Sequence, residues 1–290
     1  MLSGLIRSMR PRQWTKNVFV FAALVFDKQL LIPESFVRTL AGFVLFCLIS
    51  SSVYIFNDIA DIDADREHPQ KRRRPIASGK LPLSAAWIAG LGLALVSLVG
   101  GYLLSAAFAV VVSAYFLLNI AYSKWLKHVI IIDVLVLAAG FVLRVDAGVR
   151  LIHVERFSPW LYVVMTLLAL YLGFGKRRAE LALLSHDAAS HRKVLQGYTI
   201  RLLDQYILIV TGMTIIGYAL YTFSAPNVPA NHSMMLTIPF VVYAIFRYLY
   251  LIEVENSGGE PEEILLTDRP FQVSMLLWAV AVVMVFYLSK

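Results

Sequence analysis

The chain is poor in charge and nearly free of cysteine. Asp, Glu, Lys and Arg make up 16% of its 290 residues, while hydrophobic residues make up 59%. Soluble domains carry about a quarter charged residues, so this composition argues against a soluble protein. The single cysteine, Cys47, excludes an intramolecular disulfide, and its place inside an apolar run indicates a packed thiol. The first apolar run lacks an A-x-A-like cleavage site, so it does not resemble a signal peptide.

Long apolar runs take up most of the sequence. A helix that crosses a bilayer needs about 20 mostly apolar residues, and nine runs approach that length. They are too long for barrel strands and do not alternate. We therefore predict one integral membrane domain over residues 1–290, an all-α bundle of nine transmembrane helices. The predicted spans are 17–33, 36–56, 82–103, 105–122, 129–149, 159–175, 202–223, 233–252 and 271–289.

The basic residues are unevenly distributed along the chain. It has 26 Lys and Arg against 19 Asp and Glu, a formal charge of +7. With the N-terminus in the cytoplasm, most of the basic residues fall in cytoplasmic segments, as the positive-inside rule requires. We therefore predict a multi-pass protein of the plasma (inner) membrane with its C-terminus outside. Topology and the lipid surface account for the charge, so nucleic acid is not expected as a partner.

An acidic stretch, NDIADIDADREHP, begins at Asn57 between two of these runs. If it continues the preceding helix, a turn of about 100° per residue places Asn57, Asp58, Asp61 and Asp65 in one quadrant and Asp63 away from it. Carboxylates crowded on one face repel unless a cation lies among them, and hard oxygen ligands suit Mg²⁺. We predict a magnesium site at Asp58, Asp61 and Asp65. A solvated acidic helix end is the plainer alternative.

Two basic runs follow. Lys71 to Arg74 lie between prolines, which favours a loop, and this run could anchor the cytoplasmic side or contact phosphate. The segment GKRRAEL at 175–181 ends a predicted span. Adjacent lysine and arginine side chains can hold a phosphate, arginine through paired hydrogen bonds and lysine as a point charge. For both runs, membrane topology alone is the alternative explanation.

Further polar residues lie at or inside the predicted spans. Arg144 lies in the fifth span, three helical turns after Asp133, and an ionisable group there needs a polar partner or cavity. Lys16 lies at the interface, where it could anchor the chain or grip a lipid phosphate. Asp268 and Arg269 precede the last span and could simply cap a helix. Together with the acidic stretch, these residues predict one cavity on the cytoplasmic side. In it, a lipid-borne substrate would displace diphosphate from a donor.

The acidic stretch resembles the N-D-x-x-D-x-x-x-D motif of the UbiA superfamily of intramembrane prenyltransferases. The number of spans and the YSKWLKH segment, which begins at Tyr122, are also similar to that superfamily. Within it, the chain is most similar to the branch that transfers phosphoribose to decaprenyl phosphate. The matching segments are 8–22, 57–79, 126–149, 175–181 and 259–269.

This resemblance implies a UbiA-like helical bundle with a cytoplasmic-side active-site cavity and a Mg²⁺-dependent phosphoribosyltransferase. Such an enzyme moves 5-phosphoribose from phosphoribosyl diphosphate (PRPP) to a polyprenyl phosphate and releases diphosphate with inversion. The lipid-linked product serves as an arabinose donor for cell-wall arabinan. PRPP, the polyprenyl phosphate lipid and the bilayer are the implied partners, and self-association into a homo-oligomer stays open.

One departure from the superfamily bears on the donor. Ordinary members carry a second D-x-x-x-D motif where this chain has K-R-R-A-E. Cations in place of carboxylates favour a donor with a further phosphate, such as the 5-phosphate of PRPP. Asp146 is not expected in its family segment and receives no role.

The resemblance and the charge pattern together imply specific roles. Asp58, Asp61 and Asp65 are expected to hold Mg²⁺ and the diphosphate, with Asn57 orienting the donor. The cations of the 175–181 segment are expected to bind donor phosphate. Asp268 and Arg269 are expected to close the site. The predicted substrate-binding residues are Lys16, Asn57, Arg74, Tyr122, Lys127, Arg144, Lys176, Arg177, Arg178, Glu180, Asp268 and Arg269.

Two other functions stay open. A UbiA-type prenyltransferase would move a prenyl group from a prenyl diphosphate to an aromatic acceptor. A cation-coupled carrier would move its substrate without cleaving a bond, and inverted repeats would favour it. The sequence shows no such repeat.

Overall fold

The computed structural model describes residues 1–154, 158–184, 193–255 and 261–287, and all regular structure in these ranges is helical, which confirms the all-α prediction. The α-helices are α1 (Leu2–Met9), α2 (Ala22–Phe26), α3 (Pro33–Ala60), α4 (Ile62–Glu67), α5 (Leu83–Leu104), α6 (Ala106–Lys124), α7 (Ile132–Val149), α8 (Pro159–Leu184), α9 (Ile200–Ser224), α10 (Ile238–Glu253), α11 (Pro261–Thr267) and α12 (Arg269–Tyr287). Short 3₁₀ segments cover Pro11–Phe21, Lys71–Arg73, Leu126–His128, Lys193–Gly197 and Ser233–Thr237. Gly258 and Gly259, in the segment before the last predicted span, lie outside the described residues.

Seven of the described helices are long and apolar enough to cross a membrane, so the predicted count of nine is not confirmed. The first predicted span is divided between the 3₁₀ segment Pro11–Phe21 and the five residues of α2. The fifth corresponds to α7, whose 18 residues include Asp133, Arg144 and Asp146. Charge at three positions lowers the apolar character of a helix that is already short for a span.

Contacts divide the chain into two compact units. Unit 1 comprises Met1–Leu24, Gln29–Lys127 and Leu143–His153. Its central helix is α3, since 56% of its apolar window is buried, against 22% for each of α5 and α6. Ser105 separates α5 from α6, and its hydroxyl caps α6 by accepting from the backbone N–H of Phe108 at 3.3 Å.

A close backbone approach packs the last part of α7, from Leu143 onward, into unit 1. A β-carbon at Gly148 would lie 2.0 Å from the carbonyl oxygen of Val20. Glycine is therefore required where this helix crosses the N-terminal segment. The crossing packs Val20 and Ala147 into the same core as Phe46 and Tyr115.

Unit 2 comprises Val25–Lys28, His128–Val142 and Val154–Lys290. Helices α8 and α9 make its most extensive contact, and α10 packs against α12. Its core contains Tyr171, Phe174, Leu203, Ile207 and Tyr248. Thr199 caps α9 by accepting from the backbone N–H of Leu202 at 3.1 Å.

Candidate functional site

The acidic stretch runs from the end of α3 into α4. The two helices meet at Asp61, but hydrogen bonds from Asp61 N to Asn57 O (2.9 Å) and from Asp65 N to Asp61 O (2.8 Å) continue the helical path. The predicted face is therefore preserved. Asp58 and Asp65 are buried, whereas the Asp63 side chain is 91% exposed.

Arg74 joins the two buried carboxylates. Its Nη1 donates to Asp58 Oδ1 at 3.2 Å and to Asp65 Oδ2 at 2.7 Å. The chain reaches this position through the 3₁₀ turn Lys71–Arg73, after which Arg74 is extended, as a residue before proline prefers. One member of the predicted basic run thus binds the aspartates of the acidic stretch. We call Asn57, Asp58, Asp61 and Asp65, with the side chains bound to them, the acidic cluster.

Arg10 was not among the predicted site residues, yet it binds the same carboxylate. Its Nη2 donates to Asp58 Oδ1 at 2.5 Å, and its guanidinium lies 4.9 Å from the centre of the Tyr54 ring. Arg10 has a left-handed backbone (φ 52°) at the junction of α1 with the 3₁₀ segment that follows. Only the fold brings this cation to α3.

Lys127 and Ser123 complete the acidic cluster from the end of α6 and the turn after it. Lys127 Nζ donates to Asp61 Oδ1 at 3.0 Å, and Ser123 Oγ donates to the side-chain oxygen of Asn57. Two predicted residues far apart in sequence, Asp61 and Lys127, are therefore in contact. Tyr122 is partly buried beside Ser123.

The chemistry of this cluster fits a magnesium ion. Mg²⁺ takes one or two carboxylates and completes its shell with water and substrate phosphate. Asp58 and Asp65 already direct one oxygen each toward a single cationic nitrogen. In the described ranges, no three His, Cys, Asp or Glu side chains are gathered closely enough to hold a metal, so ligation by all three aspartates stays a prediction.

Arg144 lies in a different network of unit 1. It is buried in α7, where Nε donates to Asn17 Oδ1 at 2.8 Å and Nη2 donates to the Tyr115 hydroxyl at 2.9 Å. Asn17 in turn donates to Cys47 Sγ and Ser50 Oγ. The expected polar surroundings are confirmed, but they come from these residues, since Asp133 has a different partner. Lys16, next to Asn17, is partly buried.

The predicted cations of the 175–181 segment lie on α8 in unit 2, and we call Lys176, Arg177, Arg178 and Glu180 the α8 cluster. Arg177 is buried, and it donates to Asp133 Oδ2 at 2.6 Å and to Glu180 Oε2 at 2.8 Å. Arg178 Nε donates to Asp204 Oδ1 at 2.5 Å. Lys176 is partly buried. Whether this cluster and the acidic cluster share one cavity stays a prediction.

Asp268 caps α12, as its sequence context suggested. Its Oδ1 accepts from the backbone N–H of Phe271 at 2.8 Å, and both of its oxygens bind Arg247, at 3.2 and 2.7 Å. The Arg247 guanidinium holds the pKa of the Asp268 carboxyl below its usual range. Arg269, the first residue of α12, is exposed.

Comparison with known proteins identifies relatives along nearly the whole chain. The UbiA prenyltransferase family matches residues 17–262. The decaprenyl-phosphate phosphoribosyltransferase of Mycolicibacterium smegmatis is 38% identical over 295 residues, covering 96% of this chain and 91% of that protein. The protein of the same name from Mycobacterium tuberculosis is 34% identical over 287 residues, covering 97% and 94%.

Solved structures support the same fold. A UbiA homologue from Archaeoglobus fulgidus bound to GPP and Mg²⁺ superposes with a TM-score of 0.74 at 18% identity, covering 98% of this chain and 99% of that one. The same homologue bound to Cd²⁺ gives a TM-score of 0.72, with the same coverage. At this identity the likeness concerns the fold, and it confirms the predicted UbiA-like bundle.

Proposed function

The chain belongs to the UbiA prenyltransferase family, and from this membership we propose that it transfers 5-phosphoribose from PRPP to decaprenyl phosphate. The observation that carries the proposal is the identity of 34–38%, over nearly the full length, to relatives named for that phosphoribosyl transfer. The structure adds support, because it gathers hard oxygen ligands and cations of the types that a diphosphate donor requires.

The reaction is a displacement at the anomeric carbon. A phosphate oxygen of the acceptor forms a bond to C1 of the ribose while the bond from C1 to the diphosphate oxygen breaks, with inversion. No general base is needed, because a phosphate monoester has a second pKa of about 6 and is already anionic at pH 7. Positioning of the two anions and neutralisation of the leaving group therefore account for most of the rate.

The acidic cluster is assigned to the diphosphate. Asp58 and Asp65, with Asp61 as a third carboxylate, would hold Mg²⁺, which when bound neutralises charge on the departing diphosphate. Arg74 already contacts two of these carboxylates and adds a cation at the same place. Asn57 orients the donor from the last turn of α3.

The α8 cluster is assigned to the donor's further phosphate. Its side chains are three cations and one acid, which suits the 5-phosphate of PRPP better than the magnesium-bound end of a prenyl diphosphate. Glu180 contributes through its ion pair with Arg177 and can accept a hydrogen bond from a ribose hydroxyl.

The remaining residues are assigned to the acceptor and to closure. Lys16, Tyr122 and Lys127 are proposed to bind the acceptor phosphate or the diphosphate, and Asp268 with Arg269 would close the site. Arg144 is buried and bound to Asn17 and Tyr115, so its contribution to phosphate binding would be indirect. The protein would lie in the plasma membrane with the N-terminus and the site in the cytoplasm. Its product would supply an arabinose donor for cell-wall arabinan.

The test uses the purified chain in detergent with Mg²⁺, decaprenyl phosphate and PRPP labelled in the ribose ring. Label should enter the butanol-soluble lipid, and EDTA should stop it. Transfer of a prenyl group from a prenyl diphosphate to 4-hydroxybenzoate, with no ribose transfer, would instead identify an ordinary prenyltransferase. Movement of substrate across a vesicle membrane without bond cleavage would identify a carrier.

A further inference from the structure

The Arg177 guanidinium is enclosed, although its neighbours in the chain are not. Its side chain is 1% exposed, whereas Lys176 and Arg178 are only partly buried. Its hydrogen bonds to Asp133 and Glu180 occupy Nε and Nη1. A guanidinium enclosed in this way offers little surface to a phosphate, so its contribution to the α8 cluster has to be indirect.

Hydrogen bonds to and around Asp133 connect three separate segments of unit 2. One of its oxygens accepts from Arg177 on α8, and the other accepts from the Tyr198 hydroxyl at 2.8 Å. That hydroxyl itself accepts from the backbone N–H of Ile131 at 2.7 Å. The start of α7, the end of α8 and the turn before α9 therefore meet at one buried carboxylate.

The backbone around this carboxylate is tightly constrained. Ile131 has a left-handed conformation (φ 69°), which is rare for a β-branched residue. A β-carbon at Gly197, next to Tyr198, would lie 2.1 Å from Ile130 Cδ1. Burial raises the pKa of the Tyr198 hydroxyl, and its hydrogen bond to Asp133 raises it further, so the phenol stays a donor. The surroundings thus favour a single arrangement of the three segments.

The contribution to folding stability does not by itself explain why Arg177 and Asp133 form a buried ion pair. Replacing a buried pair with apolar side chains is often neutral or stabilising, while removing one partner is strongly destabilising. A pair of this kind does have a geometric consequence. Successive helix residues are turned by about 100°, so holding Arg177 inward sends Lys176 and Arg178 to opposite flanks of α8.

We propose that Asp133 and Tyr198 are positioning residues for donor binding. They hold Arg177 inward and thereby fix the directions in which Lys176 and Arg178 leave α8 toward a phosphate of the donor. The inference rests on the assignment of the α8 cluster to the donor phosphate in the proposed function. It also separates the roles within that cluster, with Arg177 as framework and its neighbours as phosphate ligands.

The first experiment measures kcat and the KM for PRPP at saturating decaprenyl phosphate. Asp133→Asn should raise that KM about tenfold, equivalent to about 1.4 kcal/mol, with kcat nearly unchanged. Tyr198→Phe, which removes a single hydroxyl, should raise it about threefold. The matched control is Tyr206→Phe, a tyrosine of the same unit whose ring is tilted against that of Phe174, with the centroids 5.1 Å apart. This substitution should leave both constants unchanged.

The double variant Asp133→Leu/Arg177→Met distinguishes a role in orienting Lys176 and Arg178 from a role in stabilising the fold alone. Its thermal unfolding midpoint should return close to the wild-type value, while the KM for PRPP stays raised. Recovery of both would overturn the proposal and leave a purely structural pair. A near-normal KM in Asp133→Asn would also overturn it, since an arginine that binds the donor directly would still be present.

A binding measurement distinguishes failure of this inference from failure of the proposed function. Ribose 5-phosphate, which carries the phosphate assigned to the α8 cluster, should raise the unfolding midpoint of the wild type, and by less in Asp133→Asn and Tyr198→Phe. An equal rise in all three proteins would contradict the positioning role. Absence of ribose transfer by the wild type would count against PRPP as donor without altering this comparison.

Discussion

Asp58 and Asp65, two helical turns apart, accept hydrogen bonds from the same nitrogen of Arg74. Both carboxylates are buried, and Asp58 has a second cationic partner in Arg10. A buried carboxylate is costly unless paired, so these contacts explain how an acidic stretch is tolerated at the end of an apolar helix. The same carboxylates are those proposed to hold the metal ion.

Asp58→Asn should reduce ribose transfer about a hundredfold or more, because it removes a charge that the leaving diphosphate and its metal require. The measurement is the labelled-PRPP assay, with thermal unfolding to verify folding. Asp63→Asn is the matched control, since that side chain is 91% exposed and directed away from the cluster. Normal activity in Asp58→Asn would rule out its role as a metal ligand.

Arg10→Gln should lower the free energy of unfolding by about 1.5–3 kcal/mol, the usual contribution of a hydrogen bond to a charged group. Arg74 remains in contact with Asp58, which limits the loss. Chemical denaturation in detergent measures the change, and Arg12→Gln controls for removal of an exposed cation nearby. Equal effects of the two substitutions would show that the Arg10–Asp58 contact contributes nothing specific.

Lys127→Gln should raise the KM for decaprenyl phosphate about tenfold, because a charge-assisted contact with an anion is lost. Steady-state kinetics with varied acceptor test this. Lys124→Gln is the control, since Lys124 is exposed and lies over the Trp125 ring. If the KM for PRPP rises instead, Lys127 belongs to the donor side of the site.

Asp268 should make stability depend on pH in the acid range. Its folded-state pKa is lowered, chiefly by the hydrogen bonds from Arg247, so its contribution is fully present above the ordinary aspartate pKa of about 3.9. That contribution is lost as the pH falls through the folded pKa. Unfolding midpoints between about pH 6 and pH 3 should fall less in Asp268→Asn, which keeps an oxygen for the cap but has no charge to lose. An unchanged pH dependence would contradict this assignment.

Local periodicity was enough to predict part of the acidic cluster. Asp58 and Asp65 share a face because their spacing matches whole turns of helix, and that relationship needs no knowledge of the fold. The contacts of Arg10 with Asp58 and of Arg177 with Asp133 join distant segments. Such pairs depend on how helices pack, so the sequence alone did not identify them.

The predicted count of nine spans is not confirmed, for a related reason. Hydropathy alone treated residues 17–33 as one helix, whereas the structure has a 3₁₀ segment and a short helix there. Asn17 is buried in that segment and hydrogen-bonded to Arg144, Cys47 and Ser50. Tertiary hydrogen bonds of this kind stabilise irregular backbone that hydropathy does not detect.

The left-handed residue Arg10, between α1 and the rest of unit 1, places the end of the first ten positions against Asp58 of the acidic cluster. A proteolytic cut after Arg10 would remove α1 together with the cation beside Asp58, while α3 and its partners α5 and α6 would remain intact. Amino-terminal trimming would then alter the proposed site without removing the helices that carry its aspartates.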